Sequence, residues 1–266
     1  MNLLVLGYQD VALASLLLFA NVGLSLALKL GLERSLLISA ARMTVQLILI
    51  GLVLKALFAL ASPLWTALAM TVMVLVAGRE ITARQQRRLA GPWGYSLGAT
   101  SMMSAGVLVT VLALTTAIRP EPWYDPRFAL PLFGMILGNT MNGVALTLNT
   151  LFNVAARERL SIEARLALGA DRYQALSGPR HEALRTGLTP IINAMSISGI
   201  VALPGMMTGQ ILAGVEPMEA VKYQLLIMFL IAGGTGFGVL AAVFGGVRCL
   251  TDERHRLRLD RLVGTS

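Results

Sequence analysis

The chain has 266 residues, of which 56% are hydrophobic and only 14% charged, and its mean hydropathy is +0.71. A water-soluble domain carries roughly 25% charged residues, so this composition excludes a soluble globule and makes lipid the solvent for much of the chain. The formal charge of +8 sits in short stretches between apolar runs, which fits loops against anionic headgroups, and no nucleic-acid motif accompanies it.

In chain order, the first ten residues carry no basic side chain, so the first apolar run is expected to be a retained helix and not a signal peptide. A spanning helix needs about 20 mostly apolar residues. The stretches that qualify are 11–30, 36–60, 64–81, 95–118, 128–151, 188–212 and 223–247. Pro63 is well placed to start the third, since a first-turn proline lacks only an N–H that would be unpaired anyway. The runs are long and continuously apolar and do not alternate with period two, which excludes a β-barrel. The expected fold is an all-α integral membrane bundle of about seven transmembrane helices in a single domain.

Lys and Arg set the orientation. With seven spans, one side of the bilayer receives all but four of the 22 basic residues, and the exceptions are Lys55, Arg119, Arg127 and Lys222. The N-terminus is therefore expected outside and the C-terminus in the cytoplasm. The longest polar segment, residues 153–187, falls on the basic side. It contains a helix-favouring pattern around Glu163, Ala164 and Arg165 that should end at Gly169, followed by a second helical piece at 179–186.

Several chemistries are missing from the sequence. No G-x-x-x-x-G-K-[ST] motif exists to cradle a nucleotide triphosphate. Cys249 is the single cysteine, and His181 and His255 are the only histidines, without zinc spacing. No Asp or Glu lies near the middle of a span, which argues against an ion-coupled carrier but leaves backbone carbonyls open as Na⁺ ligands. Gly233, Gly234, Gly236 and Gly238 look like a phosphate loop, but they lie within an apolar run, where helix packing is the expected role.

The polar residues inside spans are the candidate substrate pathway. Arg42 and Gln46 are one turn apart on the second span; they line a pathway, or Arg42 snorkels while Gln46 bonds a neighbouring helix. Asn139, Asn142 and Asn149 fall near one face of the fifth span, for a conduit or for interhelical bonding. In the sixth, Ser198 precedes Pro204-Gly205-Met206-Met207-Thr208-Gly209-Gln210. The proline breaks the hydrogen-bond ladder there, and irregular backbone at membrane depth survives only where it is buried in protein or lines a cavity. Met206 and Met207 are expected to pack, although their thioethers could touch a soft metal.

Residues 201–209 (Val-Ala-Leu-Pro-Gly-Met-Met-Thr-Gly), then Ile211-Leu212-Ala213-Gly214 and Ala220-Val221-Lys222-Tyr223-Gln224, resemble the FetB/YbbM family of ABC transporter permeases. Arg42 with Gln46, Leu47 and Gly51, Gly134-Met135-Ile136 with Gly138-Asn139, and Leu168-Gly169-Ala170 also match. The family is implicated in iron export and peroxide resistance, and related plant proteins in aluminium tolerance. The resemblance implies a multi-pass bacterial inner-membrane subunit that does no covalent chemistry and binds no cofactor, with ATP held by a separate cytoplasmic ATPase. It also implies a homodimer of this chain, and a coupling segment at Glu163, Ala164, Arg165, Gly169 and Asp171 that docks on the ATPase and drives alternating access. Iron is the implied substrate. No residue set marks a metal site, and a metal exporter needs only weak, transient ligands. A small organic solute or a nucleotide sugar is the alternative cargo; an ATP-independent channel or carrier and a membrane scaffold for an ATPase are the alternative classes.

Overall fold

A computed structural model describes residues 7–60 and 62–264. Residues 1–6, most of the stretch expected to lack a signal peptide's basic start, lie outside the described residues, as do 265 and 266 at the C-terminus. Helix dominates, as lipid demands: a spanning segment must satisfy its own backbone N–H and C=O groups. The Cα packing divides the chain into two units, residues 1–60 with 212–214, and residues 61–211 with 215–266.

The first unit is a helical hairpin of α1 (Tyr8–Ala27) and α2 (Glu33–Leu60). Lys29, at φ +52°, ends α1 in the left-handed conformation. The Lys29 N–H reaches the Leu26 carbonyl at 3.2 Å and the Leu30 N–H reaches that of Ser25 at 2.9 Å, which satisfies two of the carbonyls that a helix end leaves open. The Ser25 hydroxyl donates to Glu33 at 3.0 Å and accepts from the Leu32 N–H, so the hairpin turn is tied at both ends.

The second unit holds α3 (Pro63–Ala83), β1 (Arg87–Leu89), α4 (Pro92–Leu112, extended as a π-helix through Ala113–Ile118) and α5 (Pro126–Arg157). Then follow α6 (Arg159–Ala167), α7 (Arg172–Ala175), α8 (Ser177–Ile197), α9 (Gly205–Leu212), α10 (Pro217–Leu250) and β2 (Leu262–Gly264). Proline opens α3, α4, α5 and α10, and the side chains of Asp125 and Glu216 cap α5 and α10.

Contacts across the bundle fix the directions. Gly234 meets Ile136, Gly238 meets Thr140 and Val144, and Gly246 meets Leu148 and Leu151, so α5 and α10 run parallel. Gly134 meets Met73, and Arg84 bonds Asn142, so α3 shares their direction. Leu97 lies against Gly245 and Val109 against Gly234, which makes α4 antiparallel to α10. Gly187 lies against Gly143 and Thr147, while Arg157 pairs with Glu182 at 3.5 Å, which makes α8 antiparallel to α5. The C-terminal ends of α3, α5 and α10 therefore meet at one end of the unit with α6, α7 and both strands. Arg84, Arg157, Arg165, Arg172 and Arg248 lie at that end, and Arg119, Arg127 and Lys222 at the other, as the charge pattern required.

Two apolar clusters fill the unit. One, nearer the arginine-rich end, is built on Ile81, Met102, Phe133, Leu148, Phe152 and Val247. The other joins Val109, Leu114, Ile136, Ile191, Ile227 and Ile231. The glycine run expected to pack helices does so at Gly234 and Gly238, whereas Gly233 and Gly236 meet nothing within 4 Å.

Among the described residues six helices are long and apolar enough to cross a bilayer. The sixth expected span, 188–212, is not one helix. It is the C-terminal half of α8, an irregular stretch, and α9. The helical piece expected at 179–186 forms the first half of α8, which carries Pro190 inside it. The backbone breaks after Ile197, where the Val201 and Ala202 N–H groups both return to the Ile197 carbonyl at 3.1 Å. Gly199, at φ +90°, makes this turn feasible.

Gly187→Ala should expose the tightest of these crossings, because a Cβ there would collide with the Thr147 hydroxyl and the Gly143 carbonyl. Overpacking of this kind costs about 1–3 kcal/mol, so thermal unfolding in detergent should show a midpoint lowered by several degrees. Gly233→Ala, which meets open space, should leave that midpoint unchanged.

Candidate functional site

The segment expected to couple to an ATPase begins where α5 ends. α6 is amphipathic over little more than two turns. Ile162 is 1% exposed and Leu166 is half-buried against the main core, so these two residues anchor it. On the opposite side, at spacings of four, stand Leu160, Ala164 and Leu168, and the two leucines are 81% and 88% exposed. Residues four apart share a helix face, so this is one apolar stripe held in solvent beside Glu163. Glu163 accepts from Arg159 at 2.8 Å.

Gly169 ends α6 as the spacing predicted. At φ +90° it lets its N–H reach the Leu166 carbonyl at 3.0 Å, while the Ala170 N–H reaches that of Arg165 at 3.1 Å. This paired closure needs a left-handed residue, which glycine supplies without a steric cost. Asp171 then caps α7, its carboxylate accepting from the N–H groups of Tyr173 and Gln174 at 2.7 and 2.8 Å. Arg165 and Asp171 are exposed, and Arg165 lies 3.5 Å from the Ser177 hydroxyl.

Arg180 locks this assembly to the bundle. It donates to the Tyr173 carbonyl at 2.9 Å, and its guanidinium lies 5.4 Å from the Tyr173 ring centre and 5.3 Å from that of Phe244 on α10. A cation so placed is attracted by both ring faces. The stack joins α7 to α8 and α10. The C-terminal segment also takes part. His255 Nδ1 accepts from the Arg172 backbone N–H at 3.2 Å, β2 pairs antiparallel with β1, and Leu257, Leu259 and Asp260 line a hollow with Arg159 and Glu163.

Two carboxylates shape the C-terminal turn. The backbone N–H of Arg256 holds Asp252 below the usual carboxylate range. The paired hydrogen bonds from Arg258, at 2.9 and 2.8 Å, hold Asp260 down to about 2.

The expected pathway residues divide. Arg42 and Gln46 both lie on α2, in the first unit. Asn139 donates to the Met135 carbonyl of its own helix at 2.8 Å. Asn142 accepts from Arg84 at 2.7 Å, and Asn149 accepts from the Gln86 N–H at 2.9 Å, so the asparagine face of α5 ties down the chain that leaves α3. Ser198 donates to the Ala194 carbonyl at 2.6 Å, just before the break. Pro204 precedes α9, which carries Met206, Met207 and Gln210. The side-chain oxygens of Gln210 and of Gln224 on α10 are buried without hydrogen-bond partners, as are the hydroxyls of Thr110, Thr140 and Thr235. Among the described residues, no three His, Cys, Asp or Glu side chains gather as a metal cage.

Sequence reasoning missed the Leu160–Leu168 stripe, although its spacing of four was there to read. It also missed the Arg180–Tyr173–Phe244 stack and the β1–β2 pairing, which join residues far apart in the chain.

The fold and composition define a multi-pass α-helical membrane protein. The chain belongs to the UPF0014 family, whose model, described as "Uncharacterised protein family (UPF0014)", matches residues 8–250. It is 39% identical over 233 residues, 86% of this chain and 88% of the relative, to UPF0014 membrane protein slr1647 of Synechocystis. It is 38% identical to UPF0014 membrane protein STAR2 of rice, over 80% of this chain and 73% of that protein. It is 30% identical, over 96% of both chains, to a protein of Escherichia coli named "Probable iron export permease protein FetB". No solved structure matches the chain.

The Asp260 pair gives a pH signature with a definite sign. A carboxylate held below its unfolded value of roughly 3.9 contributes stability above that pH, and the contribution is lost as pH falls through its folded value. Carboxyl ¹³C NMR of Asp260 should titrate near 2 in the wild type, and Arg258→Gln should return the midpoint toward roughly 3.9.

Proposed function

We propose that this chain is the membrane permease of an ABC transporter, working as a homodimer with two cytoplasmic ATPase subunits in a bacterial inner membrane. The observation that carries this reading is the α6 stripe. Two almost fully exposed leucines flank Ala164 on a short helix whose other face is anchored in the bundle. A contiguous exposed apolar patch at a polar end marks a docking surface. The anchoring through Ile162, Arg180 and Phe244 is what a lever needs, because it converts closure of an ATPase dimer into rigid motion of α8 and α10. ATP belongs to the partner, and this chain's role is mechanical.

The proposed cargo is a metal ion, with iron first, supported by the likeness to the E. coli protein. Alternating access would expose the broken α8–α9 region first to one side and then to the other. There Ser198, the carbonyls of residues 198–204, Met206 and Gln210 supply weak oxygen and sulfur ligands, which suit an ion that must be released. The arginine-rich end faces the cytoplasm in this reading, as the basic loops of membrane proteins do.

The test uses the chain reconstituted with its ATPase. Replacing Leu160 and Leu168 together by Ala should weaken the ATPase complex by at least about a hundredfold, since each buried leucine is worth about 1.5–3 kcal/mol. Glu163→Ala and Gly169→Ala should abolish stimulation of ATP hydrolysis. Inverted vesicles should load iron only with ATP. Unchanged hydrolysis and loading in these variants would discard the coupling role, and ATP-dependent loading of an organic solute in place of a metal would replace the cargo.

A further inference from the structure

Where α4 begins and α10 ends, the second unit has a cleft of about 500 Å³ lined by Leu89, Ala90, Trp93, Arg248, Cys249 and Arg261. Beside it lies an open hollow of about 650 Å³ whose walls include Arg172, Arg254, Arg256 and Arg258, and the two spaces share Arg248 and Arg261. One end of this continuous site is apolar and aromatic, and the other carries six guanidiniums.

The charges are not cancelled internally. Asp252 pairs with Arg256 at 2.7 Å, and Asp260 with Arg258 at 2.8 Å. Glu253 is the only further carboxylate on the wall. Among the described residues neither Arg248 nor Arg254 has a carboxylate within ion-pair distance. Arg261 donates to the Cys249 carbonyl at 2.9 Å, and Arg172 donates to His255 Nδ1 at 3.4 Å. Arg261 is also fixed by its own backbone, whose carbonyl accepts from the Ala90 N–H at 2.7 Å where β2 joins β1. The wall that holds this guanidinium over the cleft is thus built by the fold.

Depth matches as well. α10 is apolar up to Val247 and turns basic at Arg248, which places the arginines where hydrocarbon gives way to headgroups. Leu97 of α4 packs against Gly245, so Trp93, one turn back and 68% exposed, stands level with Cys249. Tryptophan favours this interfacial depth, and basic pockets between helices favour anionic headgroups.

We propose that this cleft binds an anionic phospholipid from the adjoining leaflet, its phosphate between Arg248 and Arg261 and its acyl chains along Trp93 and Leu89. A guanidinium pair recognises phosphate oxygens in a planar, bidentate manner that neutral zwitterionic lipid does not reward equally. The site stands apart from α6 and holds whatever the cargo is. Because the strap that carries Arg261 also lies beside Arg159 and Glu163, a bound lipid would steady the segment that abuts α6.

The full chain with Trp65→Phe and Trp123→Phe keeps Trp93 as its sole tryptophan and can be placed in phosphatidylcholine vesicles. Dibrominated phosphatidylglycerol at about 10 mol % should quench Trp93 several-fold more than dibrominated phosphatidylcholine at the same fraction. Arg248→Gln with Arg261→Gln should reduce the first to the level of the second. In the unsubstituted arginine background, about 0.5 M NaCl should weaken the preference by screening, a result that does not depend on any variant folding. Excess glycerol 3-phosphate should leave the quenching unchanged, since it lacks the chains. Equal quenching by the two lipids, a preference that survives the double substitution and high salt, or displacement by glycerol 3-phosphate would overturn the proposal. So would protection of Trp93 from both lipids that appears only when the ATPase is bound, because the cleft would then belong to the protein partner.

Discussion

Helices dissolved in lipid have no hydrophobic reason to prefer one another over acyl chains, and their association depends on close van der Waals approach. In this protein that approach is made by α5 and α10. Gly234, Gly238 and Gly246 on one face Ile136, Thr140 and Leu151 on the other with no room for a Cβ. Gly143 and Gly187 bring α5 and α8 together backbone to backbone. These contacts set both the separation of the helices and their sense: α5 and α10 parallel, α8 opposed to both. A parallel pair linked through one opposed helix must gather its C-terminal ends at one side, and those ends carry the arginines.

From that geometry the rest follows. α5 and α10 have 32 and 34 residues and, at 1.5 Å per residue, run about 50 Å, well beyond a hydrocarbon core of roughly 30 Å. Their arginine-bearing ends project past the hydrocarbon core into the headgroup layer and become the frame on which α6, α7 and the C-terminal strap are mounted. At the opposite end α8 stops at Ile197, and the chain goes on through residues 198–204 and the short α9 instead of a continuous helix. The irregular stretch 198–204 and the exposed stripe of α6 thus stand at opposite ends of the same helix, α8, with Arg180 in its first turn.

Much of this was legible in local chemistry. Pro63 announced the start of α3, Gly169 the end of α6 and Pro204 the interruption before α9, because each residue imposes its backbone requirement without help from the rest of the fold. The segregation of Lys and Arg foretold which ends of α3, α5 and α10 meet. The sequence was less informative wherever an outcome depended on a distant partner. Asn142 and Asn149 read as a conduit or as interhelical bonding, and their hydrogen bonds to Arg84 and the Gln86 N–H depend on the chain that leaves α3 returning beside α5. The helical piece at 179–186 joins the start of the following span in one helix, α8, where Gly187 permits the close approach to Gly143. The β1–β2 pairing joins Arg87–Leu89 to Leu262–Gly264, about two thirds of the chain apart, and has no local signal.

Function as an ATP-driven permease requires that the arginine-rich end lie in the cytoplasm, where a motor can reach α6. The direct measurement is thiol accessibility of Arg165→Cys in a Cys249→Ser background, using a membrane-impermeant maleimide on sealed vesicles of both orientations. The proposed orientation predicts labelling in inverted vesicles and none in right-side-out vesicles until they are permeabilised. Labelling of intact right-side-out vesicles would put α6 outside the cell and contradict the account.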